Sequence, residues 1–301
     1  MDTILHQKLY DISINMFMYM GVVHFLLLGG SPGAASVGLS YCVENYSLWK
    51  RDKYEILESV VVVTTQQVLN GSVSSTKPAL WNRYGTTQIE KHKVPEKPFD
   101  CLKEFIADEY GDIIERNRGK IDQCIVKIDD FQYSVLSLVE KVLEYRNKEV
   151  WLNITGGMNP MTVQSLFTAY LGGIIAKIYY TYVSPEYTSY LKPPFKDQSE
   201  NFRFIELPVM KADLDQDYYL ILQTIEEAGG SVETGKLRSR LKSQNRDVDK
   251  NILNKMRGHG VITYDDQTQR IELTQLANTL LHLLKNKKFR EYLNLVRTQP
   301  A

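Results

Sequence analysis

The residues most able to do chemistry lie in two glycine-rich turns. The first is Gly29–Gly33, with the sequence GGSPG, and the second is Thr155–Asn159, with the sequence TGGMN. Ser31, Thr155 and Asn159 supply neutral hydroxyl and amide groups, and the glycines allow another molecule to approach the backbone closely. Each turn precedes a predicted helix, whose free N–H groups favour an anion such as phosphate. The turns therefore predict a phosphate-binding site; a tight strand–helix connection without a ligand is the alternative.

Apolar runs alternate with helical patterns in the first two thirds of the chain, which predicts an α/β fold with a doubly wound, mostly parallel sheet of six strands. The expected strands are Val22–Leu28, Ser59–Thr65, Cys124–Ile128, Val150–Ile154, Ile174–Val183 and Phe202–Val209. The expected helices are about Ala34–Trp49, Leu102–Ile114, Tyr133–Arg146 after the capping residues Asp129 and Asp130, and a helix with Pro160 in its first turn that continues through Thr162–Gly173. Right-handed crossovers would bring both glycine turns, and Thr64 and Thr65, to the carboxyl edge of the sheet. His24, inside the first strand and without partners in sequence, is predicted to be a core histidine.

Two well-known nucleotide sites are disfavoured by the motifs. The first turn is not G-x-G-x-x-G, and the second strand ends in Thr64, Thr65 and Gln66 without an acid for a ribose diol, so a nicotinamide enzyme fits poorly. The chain also lacks a Walker lysine after a G-x-x-x-x-G segment. We expect no cofactor.

Composition and charge describe an ordinary globular chain of two domains. The 301 residues are 43% hydrophobic and have a formal net charge of zero, so the whole chain gives no argument for nucleic acid. Three cysteines without metal-ligand spacing indicate a reduced, cytoplasmic protein and no metal site. The apolar run Val22–Leu28 is too short to span a membrane, and Met1–Met20 does not resemble a signal peptide. Residues 1–20 are interpreted as an N-terminal extension or an extra helix.

Three segments make the chain resemble the CARF family, the CRISPR-associated Rossmann-like domains that sense cyclic oligoadenylate. They are Leu28–Gly33 (LGGSPG), Val61–Thr65 (VVVTT) and Leu152–Met161 (LNITGGMNPM), followed by the tyrosine-rich strand of Tyr179, Tyr180 and Tyr182. The resemblance covers residues 21–210, and the Ser-Pro-Gly turn is similar to that of the CARF ring nucleases.

The resemblance implies a homodimer of type III antiviral defence, in which paired turns hold one cyclic ligand. Cyclic tetra-adenylate suits an isologous two-fold site. Phosphates would meet helix N-termini, and adenines would meet apolar, hydroxyl and amide groups. The implied ligand-binding residues are Gly29, Gly30, Ser31, Pro32, Gly33, Thr64, Thr65, Thr155, Gly156, Gly157, Met158, Asn159 and Met161.

The pattern departs from the ring nucleases at one position. Those enzymes carry Lys or Arg after the double glycine, to stabilise phosphate charge during metal-independent attack by a 2′-hydroxyl, and this chain has Asn159. Ser31 and Asn159 are the candidate catalytic residues. Lys77, Arg83 and Lys192 are candidates for a replacement cation. Binding is therefore favoured over cleavage.

Residues 211–301 predict a winged helix-turn-helix domain. The expected helices are about Asp217–Ala228, Lys236–Lys242 after a Thr234 cap, and Arg246–Arg257; a hairpin of Val261–Tyr264 and Arg270–Leu273 and a helix from Gln275 follow. Eight basic and two acidic residues lie between Lys236 and Arg257. Lys250, Asn254 and Arg257 on the third helix are the candidate contacts to double-stranded DNA, with a solvated surface on a dimerisation domain as the alternative.

Three hypotheses remain open from the sequence. The chain is a ligand sensor that regulates DNA through the winged helix, a ring nuclease that clears the signal, or a structural dimer with neither activity. A fused ribonuclease is disfavoured, because no arginine has a histidine at the R-x(4–6)-H spacing.

Overall fold

The chain divides into two compact units, residues 1–167 with 174–209 and residues 168–173 with 210–301. The computed structural model describes residues 21–45, 56–73, 97–172, 174–183, 202–207, 216–244, 246, 250–258, 260–265 and 267–292. The predicted extension over residues 1–20 lies outside these ranges. Among the helices of the described ranges, none is long and apolar enough to cross a membrane.

A six-stranded sheet forms the centre of the first unit. Its strands are β1 (Val22–Leu27), β2 (Ser59–Thr65), β3 (Ile121–Val126), β4 (Glu149–Asn153), β5 (Ile175–Val183) and β6 (Phe202–Leu207). The order across the sheet is β3-β2-β1-β4-β5-β6, and the first five strands run parallel. β6 pairs antiparallel with β5. The predicted α/β fold with a mostly parallel six-stranded sheet is confirmed.

Helices connect the parallel strands. They are α1 (Pro32–Asn45), the short α2 (Gln66–Leu69), α3 (Pro98–Arg116), α4 (Phe131–Glu144) and α5 (Asn159–Gly172). α1 packs against α3, and Phe131 of α4 contacts Phe167 of α5 edge to face, with ring centroids 5.1 Å apart. The N-cap predicted for α4 is confirmed at Asp130, whose carboxylate accepts from the Tyr133 N–H at 3.0 Å.

Several predicted boundaries were wrong. β3 spans Ile121–Val126 rather than 124–128, because the Ser134 hydroxyl takes over both backbone groups of Lys127, accepting from its N–H at 2.8 Å and donating to its carbonyl at 2.7 Å. α1 begins at Pro32, two residues early, since a proline suits the first helical turn. α3 extends beyond the predicted 102–114 to Pro98 and Arg116.

The buried strands β1 and β2 carry the core, and His24 is part of it. Its ring is fully buried, with Nε2 2.8 Å from the Ile56 carbonyl and Nδ1 2.9 Å from the Tyr179 hydroxyl. The carbonyl only accepts, so Nε2–H donates to it and Nδ1 accepts from the tyrosine. Burial lowers the pKa of His24 from 6.5 to about 4, although the bond to Ile56 opposes the shift. The predicted core histidine is confirmed.

Unfolding free energy should fall as the pH drops from 6.5 towards 4. The unfolded chain binds a proton at His24 near pH 6.5, whereas the folded ring stays neutral until about pH 4. The resulting loss of unfolding free energy is about 3 kcal/mol once the pH has fallen to 4. Urea unfolding across this range measures it, and ring NMR signals of His24 identify the group. A His24 signal that titrates near pH 6.5 in the folded protein would contradict the assignment.

An ion-pair cluster around Asp122 contributes to the pH dependence of stability at lower pH than His24 does. Burial by itself raises the pKa of Asp122, but Lys120 Nζ at 2.7 Å, the Gln123 N–H and Lys141 hold it at about 2. This carboxylate loses its stabilising ionisation only below pH 3.8, as the pH falls towards 2. The window is therefore separate from that of His24.

Within the described residues, the second unit contains five helices and a small antiparallel sheet. In chain order the elements are α6 (Gln216–Glu227), β7 (Ser231–Glu233), α7 (Thr234–Ser243), α8 (Lys250–Gly258), β8 (Ile262–Asp265), β9 (Arg270–Leu273), α9 (Gln275–Lys285) and α10 (Lys287–Tyr292). The sheet order is β7-β9-β8.

Two details of the second unit differ from the sequence predictions. The cap assigned to Thr234 is wrong, because α7 begins at this residue and its hydroxyl donates to the Gln269 carbonyl at 2.9 Å. The short strand β7 was missed, since three residues are too few for a periodic pattern.

Candidate functional site

The candidate site is the crevice between the carboxyl ends of β1 and β4. These strands are neighbours, but the chain leaves β1 towards β2 on one side and β4 towards β5 on the other. The connections diverge here, so this is the topological switch point, where open α/β sheets bind ligands. The turns after the two strands meet, and the Gly29 N–H donates to the Gly156 carbonyl at 2.7 Å.

Two glycines of the second turn are required by packing within the chain. A Cβ on Gly156 would lie 2.4 Å from the Leu27 carbonyl oxygen and 3.1 Å from the Ala35 Cβ. A Cβ on Gly157 would lie 2.8 Å from the Leu27 side chain. The sequence interpretation assigned these glycines to ligand binding. The structure shows that they allow the second turn to pack directly against β1.

The first turn leaves its polar end open to solvent. Gly30 and Ser31 are exposed, and Ser31 immediately precedes Pro32, the first residue of α1. The Ser36 hydroxyl donates to the Gly33 carbonyl at 3.0 Å. Ser31 is therefore an exposed residue directly before α1, whereas Pro32 and Gly33, the first two residues of the helix, are buried.

Thr64 and Thr65 lie at the same edge but are buried. The Thr64 hydroxyl donates to the Leu28 carbonyl at 2.9 Å. The Thr65 hydroxyl caps α2 by accepting from the Val68 N–H at 3.4 Å. The Thr64 hydroxyl thus joins the end of β2 to the end of β1, and the Thr65 hydroxyl caps the helix after β2. Their contact with a ligand stays a prediction.

Asn153, which the sequence interpretation missed, organises the second turn. Its Oδ1 accepts from the Thr155 N–H at 2.9 Å and the Thr155 hydroxyl at 2.6 Å, and its Nδ2 donates to the Ala35 carbonyl at 3.1 Å. Thr155 in turn accepts from the backbone N–H of Thr181 at 2.9 Å. A fully buried asparagine at the end of β4 therefore ties α1, the turn and β5 together. The signal was available, because one polar residue interrupts the apolar run.

The remaining predicted residues of the second turn differ in exposure. Met158 is half-buried, Asn159 is exposed and opens α5, and Met161 is fully buried. Asn159 is thus the residue of this turn best placed to meet a ligand.

Neither turn carries a charged or titratable side chain. The arrangement can hold an anion with backbone N–H groups and neutral donors, but the turns themselves hold no general acid or base. Lys77, Arg83 and Lys192, the candidate replacement cations, lie outside the described residues. Lys127 is a cation that the sequence interpretation missed: it follows β3, its Nζ lies 4.4 Å from the centre of the Tyr133 ring, and its carbonyl accepts from Gln164 of α5 at 3.0 Å.

Exposed apolar side chains occur at or near the carboxyl ends of the strands. They are Val73 after α2, Ile128 after β3, Tyr133 in the first turn of α4, Val163 in the second turn of α5 and Tyr182 near the end of β5. Val163 is the most exposed, at 58%. A contiguous apolar patch is typical of an interaction surface, whereas single exposed apolar side chains are ordinary.

The three candidate DNA contacts all belong to α8. Asn254 and Arg257 are exposed, and Lys250 is the first residue of the helix, with its side chain outside the description. Asn254 and Arg257 also line a cleft of the second unit.

No family model matches the chain, and no curated protein matches it. Among solved structures, the chain is similar to that of Enterococcus italicus Csm6 bound to cyclic hexa-2′-fluoro-hexa-dAMP. The two are 13% identical with a TM-score of 0.37, and the alignment covers 92% of this chain. The chain spans 65% of the length of that structure.

Proposed function

We propose that the first unit is a CARF domain that binds cyclic oligoadenylate, with cyclic tetra-adenylate as the first ligand to test. The observation that carries the proposal is the meeting of the two turns at the switch point between β1 and β4. It sets the N-termini of two helices, α1 and α5, beside Ser31 and Asn159. Helix N-termini bind phosphate through free N–H groups, so repeated phosphates of a cyclic ligand suit this edge.

The protein acts, in this proposal, as a homodimer in type III CRISPR antiviral defence. A two-fold axis would place two copies of the crevice on one ligand and would cover the exposed apolar side chains at the strand ends. Sedimentation with and without cyclic tetra-adenylate tests the dimer.

Calorimetric titration with cyclic tetra-adenylate and cyclic hexa-adenylate tests binding and ring size together. No heat and no thermal shift with either ring would overturn the proposed ligand class. Heat with one ring alone identifies the ligand.

Asn159→Asp should lower the affinity for the cyclic ligand by about tenfold or more, because a carboxylate at the start of α5 repels phosphate. Aspartate at a helix N-terminus is itself favourable, so the variant should keep its unfolding free energy. Asn159→Gln is the neutral control and should bind like the unchanged protein. Equal affinity in all three proteins would remove Asn159 from the site.

Ring cleavage is the second activity that the site could have, with Ser31 and Asn159 as its residues. Attack by a 2′-hydroxyl on the adjacent phosphate forms a cyclic phosphate and releases the 5′-hydroxyl, so no metal is needed. Incubation with cyclic tetra-adenylate in EDTA under single-turnover conditions tests it. Linear di-adenylate above background establishes the ring nuclease, and its absence leaves a binding protein.

The alternative is a ligand-responsive regulator in which the second unit, as a winged helix-turn-helix, binds double-stranded DNA. Exposure of Asn254 and Arg257 on the third helix of that unit favours it. A mobility shift that persists unchanged in Lys250→Ala/Arg257→Ala would argue against this face.

A further inference from the structure

The second unit contains a cleft that the function of the first unit does not use. It has a volume of about 410 Å³ and lies between α7, α8 and the hairpin of β8 and β9. Small-molecule sites have volumes of roughly 300–1,000 Å³. The lining residues are Thr234, Arg238, Leu253, Asn254, Arg257, Ile262, Tyr264 and Ile271.

Two arginines give the cleft its charge. Arg238 comes from α7 and Arg257 from α8, and within the described part of the chain neither guanidinium has a carboxylate partner. None of the described residues that line the cleft is acidic. Two guanidinium groups that line the same cleft are suited to a phosphate, because each can bind it through paired N–H groups.

The floor of the cleft is apolar. Ile262 and Ile271 are buried at 2% and 1% exposure, and Leu253 is half-buried beside them. Tyr264 adds a half-buried ring, and its hydroxyl is held by the Gln269 side chain. A flat group could displace water from the half-buried Leu253 and Tyr264, whereas Ile262 and Ile271 expose almost no surface.

Hydrogen-bonding groups complete the lining. The Thr234 hydroxyl already donates to the Gln269 carbonyl and so can accept a further bond. The Asn254 amide offers both a donor and an acceptor. The cleft therefore offers arginines for a phosphate, apolar groups for a flat ring and hydrogen-bonding groups for the polar edge of that ring. A nucleoside monophosphate has all three features.

The concave form of the cleft favours a small ligand over duplex DNA. A reading helix inserts a protruding face into the major groove. Here Asn254 and Arg257 instead line a space bounded on the other side by the hairpin strands.

We propose that this cleft binds a nucleoside monophosphate, with the phosphate on Arg238 and Arg257 and the base against Leu253 and Tyr264. The proposal does not depend on the ligand of the first unit. It assigns the second unit a small-molecule site of its own.

Calorimetry of the full chain with uridine 5′-monophosphate tests the proposal, since a pyrimidine avoids the adenine chemistry of the crevice. The variants Arg238→Met and Arg257→Met should each lower the affinity by about tenfold or more. Arg240→Met is the matched control, because Arg240 is also exposed on α7 but does not line the cleft. Asn159→Asp should leave this affinity unchanged, which separates the cleft from the crevice.

Each remaining outcome overturns the proposal. If calorimetry detects no heat of binding at millimolar nucleotide, the cleft is not a nucleotide site. If inorganic phosphate binds as tightly as the nucleotide, the base contributes nothing to binding, and the proposed contact of the base with the cleft is wrong. If the nucleotide does not bind but a DNA duplex loses affinity in both variants and not in Arg240→Met, the arginines form a DNA-backbone contact instead.

Discussion

Gly156→Ala should lower the unfolding free energy by about 1–3 kcal/mol or more, which is the range for overpacking a tight interior. The new methyl group would lie 2.4 Å from the Leu27 carbonyl oxygen and 3.1 Å from the Ala35 Cβ. Neither obstacle is the end of a flexible side chain, so the second turn must move away from β1. That movement would break the bond from the Gly29 N–H to the Gly156 carbonyl. Urea unfolding measures the stability, and calorimetry with cyclic tetra-adenylate measures the expected loss of affinity.

Gly30→Ala is the matched control for the crowding at Gly156. Its added methyl would meet nothing closer than the Val73 Cγ1 at 3.5 Å, which is an ordinary contact. Its stability should change by less than about 0.5 kcal/mol, as for most surface substitutions. If Gly156→Ala loses as little stability as is expected for Gly30→Ala, the second turn can shift at little cost, and the crevice lacks the rigidity that we assign to it.

The position of the crevice could be predicted because it follows from general rules. Residues 22–28 and 59–65 are apolar enough to require burial on both faces, and parallel strands follow from the intervening helices. Right-handed crossovers then bring both glycine turns to one edge. The sequence supplied each of these inputs locally, so no long-range contact had to be known.

The roles of individual residues at that edge could not be predicted. In a sequence, a glycine that allows a ligand to approach looks the same as one that allows a neighbouring strand to approach. The group that a Cβ on Gly156 would meet belongs to Leu27, which lies far away in sequence. A threonine at a strand end is likewise ambiguous, and the Leu28 carbonyl that holds Thr64 becomes its neighbour only in the sheet.

The cleft of the second unit was also beyond the sequence interpretation. Helical spacing identified Asn254 and Arg257 as polar positions of the third helix, but not what faces them. Arg238 comes from a different helix, and Ile262 and Ile271 come from a hairpin. Only their arrangement in space distinguishes a concave site from a solvated basic surface.

Asn153→Asp should lower the unfolding free energy at pH 7 by about 3 kcal/mol or more, because it leaves a buried charge without a counter-ion. The change is nearly isosteric, so it isolates charge and hydrogen bonding from volume. Oδ1 could still accept both bonds from Thr155, but the second oxygen would face the Ala35 carbonyl, where the amide now donates at 3.1 Å. Urea unfolding at several pH values measures the difference from the unchanged protein.

The sign of the pH dependence tests this explanation. Burial raises the pKa of the new carboxyl above that of an exposed aspartate, so its penalty is full at pH 7 and shrinks as the pH falls towards 4. A protonated carboxyl can donate to the Ala35 carbonyl again, and the effect of His24 cancels because both proteins contain it. Asn70→Asp is the control, since the exposed side chain of Asn70 accepts from the Ser72 N–H and hydroxyl and makes no donated bond among the described residues. A stability deficit in Asn153→Asp that stays constant from pH 7 to pH 4 would show that shape, and not the donated bond to Ala35, fixes the turn that carries Asn159.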